Sequence, residues 1–224
     1  IFRVSLYDRS VKALPDNEGL IKEPQFVRVG TEGVYVWDKR EGMLKASFDD
    51  AGWFSAFSSL SGLDVRDVKA EDIAKMTVWY GENIYFLSRD RSVLLRSSAA
   101  YSDRYGLPYS FLDHESIADA TDVIADLSIY VVIEREPHIV RFNYSYFESK
   151  YYEAPLGIIG FDGNFGRLIK GFTGDSLDYG LYFFDEGKRS IFKFQKPIEA
   201  GEGMRHPNQI SLINYDLPKK FSVI

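Results

Sequence analysis

One hairpin-like unit is written four times along this chain, and that repetition constrains the fold more than any other feature. The copies are "VYVWDKREGMLKAS" from Val34, "IYFLSRDRSVLLRSS" from Ile84, "IYVVIEREPHIVRFN" from Ile129 and "LYFFDEGKRSIFKFQ" from Leu181. Each carries Tyr at its second position: Tyr35, Tyr85, Tyr130 and Tyr182. Each runs through mostly apolar residues into a charged turn. Each then resumes with two apolar residues and a basic one, namely Lys45, Arg96, Arg141 and Lys193. The basic residue follows the Tyr by 10 positions in the first copy and 11 in the other three. Apolar, β-branched and aromatic runs joined by short polar turns are the mark of antiparallel hairpins.

The tyrosines are spaced by 50, 45 and 52 residues. A supersecondary unit recurring every ~40–50 residues points to a propeller or a similar array. The flanks fit four-stranded blades. An apolar segment precedes each hairpin and suits an inner strand A: "PQFVRV" from Pro24, "AKMTVWY" from Ala74, "TDVIAD" from Thr121 and "RLIKGF" from Arg167. The hairpin supplies strands B and C. Aromatic segments that follow suit an outer strand D: "GWFSAF" from Gly52, "LPYSFL" from Leu107 and "KYYEAP" from Lys150. The acidic and Lys-containing stretch from Gly62 to Met76 suits a short helix or an exposed turn in a long connection.

The two ends answer each other. Ile1-Phe2-Arg3 matches a strand C, "PNQISLI" from Pro207 matches an inner strand A, and "FSVI" from Phe221 stands where a strand B belongs. The expected fold is therefore all-β: one β-propeller over residues 1–224, built of four-stranded antiparallel blades and closed by pairing its N- and C-terminal strands. Such closure removes exposed sheet edges. The count is five blades, or six if Tyr151–Gly180 holds a further one. A start at Ile1, inside strand-like sequence, reads as a piece or processed part of a longer protein.

Composition supports this and excludes several functions. Aromatics make up 16% of residues, and Tyr and Phe favour strands. A net charge of −6 argues against a nucleic-acid partner, which would need an excess of Lys and Arg. With no Cys there is no disulfide or thiolate metal site, and His114, His138 and His206 are too scattered for a zinc site. No metal or cofactor is expected. No apolar run approaches the ~20 residues of a membrane span. The compartment is not legible, an extracytoplasmic one being compatible with the pattern.

The blade pattern, an inner strand followed by an "iYvlD…Ivkf" hairpin, resembles the NHL-like and TolB-like group of bacterial β-propellers. The match covers nearly the whole chain and is one of blade pattern, with no functional motif in it. The resemblance implies a propeller of a fold used mostly for binding protein, peptide, glycan or nucleic acid, the charge balance arguing against the last. Fold alone does not choose among them.

The turns between strands B and C hold the most suggestive side chains. Equivalent turns of successive blades would gather Arg40, Arg91, Arg135 and Arg189 into a partial ring able to focus an anionic partner. Interleaved acids oppose that. Lys45, Arg96, Arg141 and Lys193, by contrast, suit a structural role, their stems packed between blades with the charge at the edge. The four tyrosines suit core packing. A rival reading is a glycosidase-like enzyme, which needs two carboxylates flanking the scissile bond. Asp49-Asp50 and Asp113-His114-Glu115 are the acidic clusters in connections, and both are ordinary in polar loops. "FDGNFG" from Phe161 has the chemistry of a tight turn, and "NYS" at Asn143 is a glycosylation sequon. The expectation is a non-enzymatic binding or scaffolding module.

Overall fold

The computed structural model describes residues 2–4, 11–16, 18–30, 32–48, 54–63, 68–79, 83–90, 93–101, 104–125, 128–133, 138–154, 158–159, 168–173, 180–185, 190–195 and 204–211. They form an all-β assembly of antiparallel sheets stacked in sequence order. Sheet 1 holds Pro24–Val29, Gly33–Asp38, Gly42–Ser47 and Ser58–Ser59 as strands A to D. In sheet 2 they are Ile73–Trp79, Asn83–Ser88, Leu94–Ser97 and Tyr109–Leu112. In sheet 3 they are Ala120–Ala125, Ile129–Ile133, His138–Ser145 and Lys150–Ala154. Sheet 4 begins with Leu168–Thr173, Gly180–Asp185 and Ser190–Gln195. The A strands of sheets 1 and 2, 2 and 3, and 3 and 4 lie side by side.

The repeated Tyr and basic residue are direct cross-strand partners in every sheet. Tyr35 faces Lys45, Tyr85 faces Arg96, Tyr130 faces Arg141 and Tyr182 faces Lys193. The shorter offset in the first copy is a shorter turn, and the register above it is unchanged. A second repeat was not visible in the sequence. Each A strand shifts register over its second residue, between Pro24 and Phe26, Ile73 and Lys75, Ala120 and Asp122, and Leu168 and Lys170. A bulge at one place in all four sheets bends the strand and increases its local twist.

The B strands of sheets 1 and 3 are buried along their whole length, and that of sheet 2 is buried from Ile84 to Ser88. This is why "VYVW", "IYFL" and "IYVVI" read as unbroken apolar runs. A strand covered on both faces has no need to alternate. The alternation survives in the choice of neighbour. Ile84 and Phe86 pack with Tyr35, Trp37 and Met43 of sheet 1, with the Trp37 and Phe86 rings edge to face at 5.6 Å. Tyr85 and Leu87 turn the other way, towards Val123, Val131 and Phe142 of sheet 3. Successive residues on a strand thus serve successive interfaces.

Polar groups lock this stack at two places. Asp38, fully buried at the end of strand B, accepts from the N–H groups of Lys22 (2.8 Å), Glu23 (2.6 Å), Arg40 (2.9 Å) and Glu41 (3.2 Å). It ties the B–C turn to the chain entering strand A. Near the inner strands Arg28 of sheet 1 reaches Asp122 of sheet 3 at 3.2 Å, with side chains 12% and 0% exposed. Asp122 also accepts from the N–H of Val123 at 2.9 Å.

Three strand expectations are corrected. Met204–Ser211 pairs with Ser190–Gln195, at the outer position of sheet 4 and not the inner one expected for "PNQISLI". Alternation fixes which face a residue takes, not where its strand lies in the sheet, and the preceding strand C had an open edge beside it. The outer strand of sheet 1 is Ser58–Ser59, downstream of the expected segment, while Phe54 forms an isolated bridge to Phe48 outside the named strands. Between Lys150–Ala154 and Gly180 the described residues form the edge strand Ile158–Ile159, parallel to Met204–Ser211, and strand A of sheet 4, not a separate blade. At the start of the chain Phe2–Val4 pairs with Val11–Ala13. Phe221–Ile224, expected to help close the ring, lies outside the described residues, as does all of "FDGNFG". The acidic stretch before sheet 2 contains a 3-10 turn at Ala70–Asp72.

Candidate functional site

Of the four arginines expected to form a basic ring, Arg40 is described and Arg91, Arg135 and Arg189 lie outside the described residues. Arg40 is exposed in the first B–C turn and ion-paired with Glu23. Its neighbour Lys22 pairs with Glu41. Both pairs join the turn to the chain that enters strand A, Glu23 meeting Arg40 and Lys22 meeting Glu41. The repeated basic residues of strand C are structural in sheets 1 and 3. Lys45 is 5% exposed, bonds Glu32 at 3.1 Å and lies 5.4 Å from the Tyr35 ring centroid. Arg141 is buried. For Lys45 the charge itself, and not the stem alone, is taken inside, while the Glu32 side chain that meets it stays exposed.

Arg96 departs from that pattern. A cleft of about 740 Å³ opens between the outer part of sheet 2 and the C–D hairpin of sheet 3, and Arg96 lines it with its partner Tyr85. Its guanidinium carbon sits 4.5 Å from the Phe111 ring centroid and 5.3 Å from that of Tyr109. Tyr109 stands opposite Arg96 in the register, and Phe111 is two residues further along the same strand. Among the described residues no carboxylate pairs with Arg96, and its buried Nε–H has no hydrogen-bond partner.

An aromatic ladder crosses the cleft. Tyr85 contacts Phe111 at 5.3 Å, Phe111 contacts Tyr151 at 5.0 Å, Tyr151 contacts Tyr144 at 5.2 Å and Tyr144 contacts Tyr146 at 5.1 Å. These are tilted or edge-to-face pairs, the geometry that ring quadrupoles favour. Tyr144 and Tyr151 are cross-strand partners, which places both on one side of the hairpin. At its tip Tyr146 is 88% and Phe147 104% exposed. Ser149 closes the turn at φ +53°, a conformation most side chains avoid. Burial, with Tyr151 alongside, pushes the Tyr85 hydroxyl up to about 12 against the pull of Arg96. Tyr151 is raised as well, chiefly by burial.

The cleft is of ligand size, since pockets for small ligands and ligand segments run to ~300–1,000 Å³. It offers flat apolar rings, phenolic and seryl hydroxyls, and one planar cation. The register separates it from the basic turns. The hairpin tip at Tyr146–Ser149 lies at the end of strand C opposite the B–C turn.

The acidic cluster of the rival enzyme reading is partly here. Asp113 lines the cleft. His114 caps the one-turn helix Glu115–Ala118, its Nδ1 accepting from the Ser116 N–H at 3.2 Å. The imidazole also stands 3.6 Å from Glu153. Asp49-Asp50 lies outside the described residues. Asn143 of the sequon accepts from the Ser128 hydroxyl at 2.6 Å. The sequence reading missed the cleft itself. Its signal was "FNYSYFESKYYE", with six aromatic residues between Phe142 and Tyr152, more than one strand pair can bury.

Comparison with known proteins bears on the fold. No protein-family model matches the chain, and no curated protein matches it. Among solved structures it is similar to an auxiliary nutrient binding protein from Bacteroides thetaiotaomicron, at 10% identity and a TM-score of 0.51, over 93% of this chain and 51% of that one. It also matches a protein from Lactobacillus plantarum at 9% identity and a TM-score of 0.43, over 80% of this chain and 52% of that one. A virginiamycin B lyase from Staphylococcus aureus matches at 13% identity and a TM-score of 0.43, over 94% of this chain and 62% of that one. The chain spans about half to under two thirds of the length of these structures. The likeness to the nutrient-binding protein supports a β-propeller-like fold. No described helix is long and apolar enough to cross a membrane.

Proposed function

We propose that this chain is a non-enzymatic binding module, a propeller that presents a protein or polymer ligand with a preformed aromatic cleft. The observation that carries the reading is the cleft between sheets 2 and 3, where exposed rings converge on a cation with no carboxylate partner among the described residues. An exposed aromatic patch of this kind is costly to keep in water unless something covers it. The similar nutrient-binding protein agrees with a binding role.

The architecture belonging to this proposal is one domain of five blades of the NHL-like and TolB-like type. The N-terminal ribbon and the chain beyond Ser211 would share the fifth blade, which closes the ring. Arg40, Arg91, Arg135 and Arg189 would form a second, electrostatic surface on the opposite end, steering anionic ligands at long range.

The test is a thermal-shift panel of glycans, peptides and anionic polymers, since a ligand that binds only the folded state raises the melting temperature by mass action. The expected result is a shift with one class, lost in Tyr144→Ser and Tyr146→Ser. Reversal of the four arginines to Glu should weaken binding most at low salt. A shift unchanged by both tyrosine substitutions would remove the cleft from the account. Turnover of a glycan, abolished by Asp113→Asn, would replace the binding module with the enzyme.

A further inference from the structure

The cleft carries more than a general capacity to bind, because, of its two lining cations, Lys150 pairs with Glu148 while Arg96 is held against aromatic rings with no paired carboxylate among the described residues. We infer that it takes a glycan bearing ring carboxylates, a uronic-acid polymer, with Arg96 reading the carboxylate; this rests on the cleft being the binding site.

Three observations carry the inference. The first is the fixed, uncompensated guanidinium. Its contacts with Phe111 and Tyr109 hold it in place, so little rotamer freedom is lost when it grips a ligand. Lys45, its counterpart in sheet 1, has Glu32. Arg96 has no such acid among the described residues, and a planar fork of donors fits a carboxylate.

The second is the lining. Pyranose rings have an apolar C–H face and a rim of hydroxyls. The cleft answers both, with the rings of Tyr109, Tyr144 and Tyr146 beside their own hydroxyls and those of Ser110 and Ser149.

The third observation disfavours an extended peptide. A peptide would gain most by adding a strand to an open edge. Of the two edges that border the cleft, Tyr109–Leu112 is four residues long and its register shifts between Ser110 and Leu112, and Lys150–Ala154 is only five residues long. Short or bulged edges resist strand addition.

The experiment is calorimetric titration of the full chain with four probes. They are an oligogalacturonate, its fully methyl-esterified form, a polyglutamate of similar charge and a proline-rich peptide. The acid form should bind, and esterification should weaken it about 10- to 100-fold, the range expected for one charge-assisted hydrogen-bonded pair. Arg96→Gln and Arg96→Lys should both lose that discrimination, Lys because it keeps the charge without the fork. Tyr146→Ser, at a side chain 88% exposed and so safe for folding, should weaken both sugar forms alike. The acid-against-ester comparison needs no variant and stands even if Arg96 substitutions unfold the chain. Equal binding of acid and ester overturns the inference, as does equal binding of polyglutamate. Binding of the proline-rich peptide alone overturns it and leaves the binding module standing. Silence from every probe here, and from the whole thermal-shift panel, overturns both.

Discussion

Asp38 offers the sharpest test of how the first sheet is held. Its two carboxylate oxygens divide four N–H donors between them. Oδ1 takes Arg40 and Glu41 and Oδ2 takes Lys22 and Glu23. The substitution Asp38→Asn keeps the shape but replaces one acceptor with an NH2 group. One pair of donors then faces another donor. Net contributions of hydrogen bonds to a charged group run to ~1.5–3 kcal/mol each, so losing two costs about 3–5 kcal/mol after relaxation. At ~2–4 °C per kcal/mol for a chain of this size, the melting temperature should fall by about 6–20 °C. Asp38→Ala should cost as much or slightly more, since it empties the site. Urea denaturation followed by tryptophan fluorescence reads both variants, Trp37 being the adjacent residue and fully buried. If Asp38→Asn costs less than about 1 kcal/mol, the four-donor arrangement does not hold the turn, and the reasoning fails.

Three further outcomes are expected. Asp122→Ala should destabilise by about 3–5 kcal/mol by stranding Arg28, whereas Arg28→Met with Asp122→Leu should recover most of the loss; equal damage from single and double variants in chemical denaturation would contradict this. Gly62→Ala should cost more than about 1 kcal/mol, because Gly62 has φ +89° and an added Cβ would lie 2.1 Å from the Tyr105 carbonyl oxygen; a neutral melting temperature would refute it. The Tyr85 hydroxyl keeps its proton in the folded state up to about 12 while the unfolded one ionises near 10. Its contribution to stability is therefore whole below pH 10 and is lost as pH rises towards 12, and phenolate absorbance in the wild type against Tyr85→Phe checks both the window and the sign.

The sequence carried the hairpins well, for a physical reason. Tyr35 with Lys45, and its three counterparts, recur because cross-strand partners must match in every sheet, so the spacing survives as a visible period. What failed to show was anything set by the strand's place in its sheet. "PNQISLI" alternates as an inner strand does, yet lies outside strand C, because alternation encodes faces alone. The bulges at Gln25, Ala74, Thr121 and Ile169 share no residue type, since a bulge needs an extra residue and not a particular one. The cleft was half legible. Its tyrosines stood in plain view in "FNYSYFESKYYE", but their meeting with Arg96 and Phe111 depends on how two sheets face each other. Arg96 carried the same repeat signature as Lys45, and what marks the difference is the cleft it lines, with no acid paired to it among the described residues.

The Arg28–Asp122 pair changes what kind of object this chain is. In an array of repeats each unit touches only its neighbours, so stability adds up along a line and the ends can unravel independently. This contact skips a unit and joins residues 94 positions apart. Sheet 1 then cannot loosen without stranding a buried charge in sheet 3. The first three sheets should therefore melt as one cooperative block, and cutting the chain after sheet 2 would leave a fragment worse than two thirds of that block.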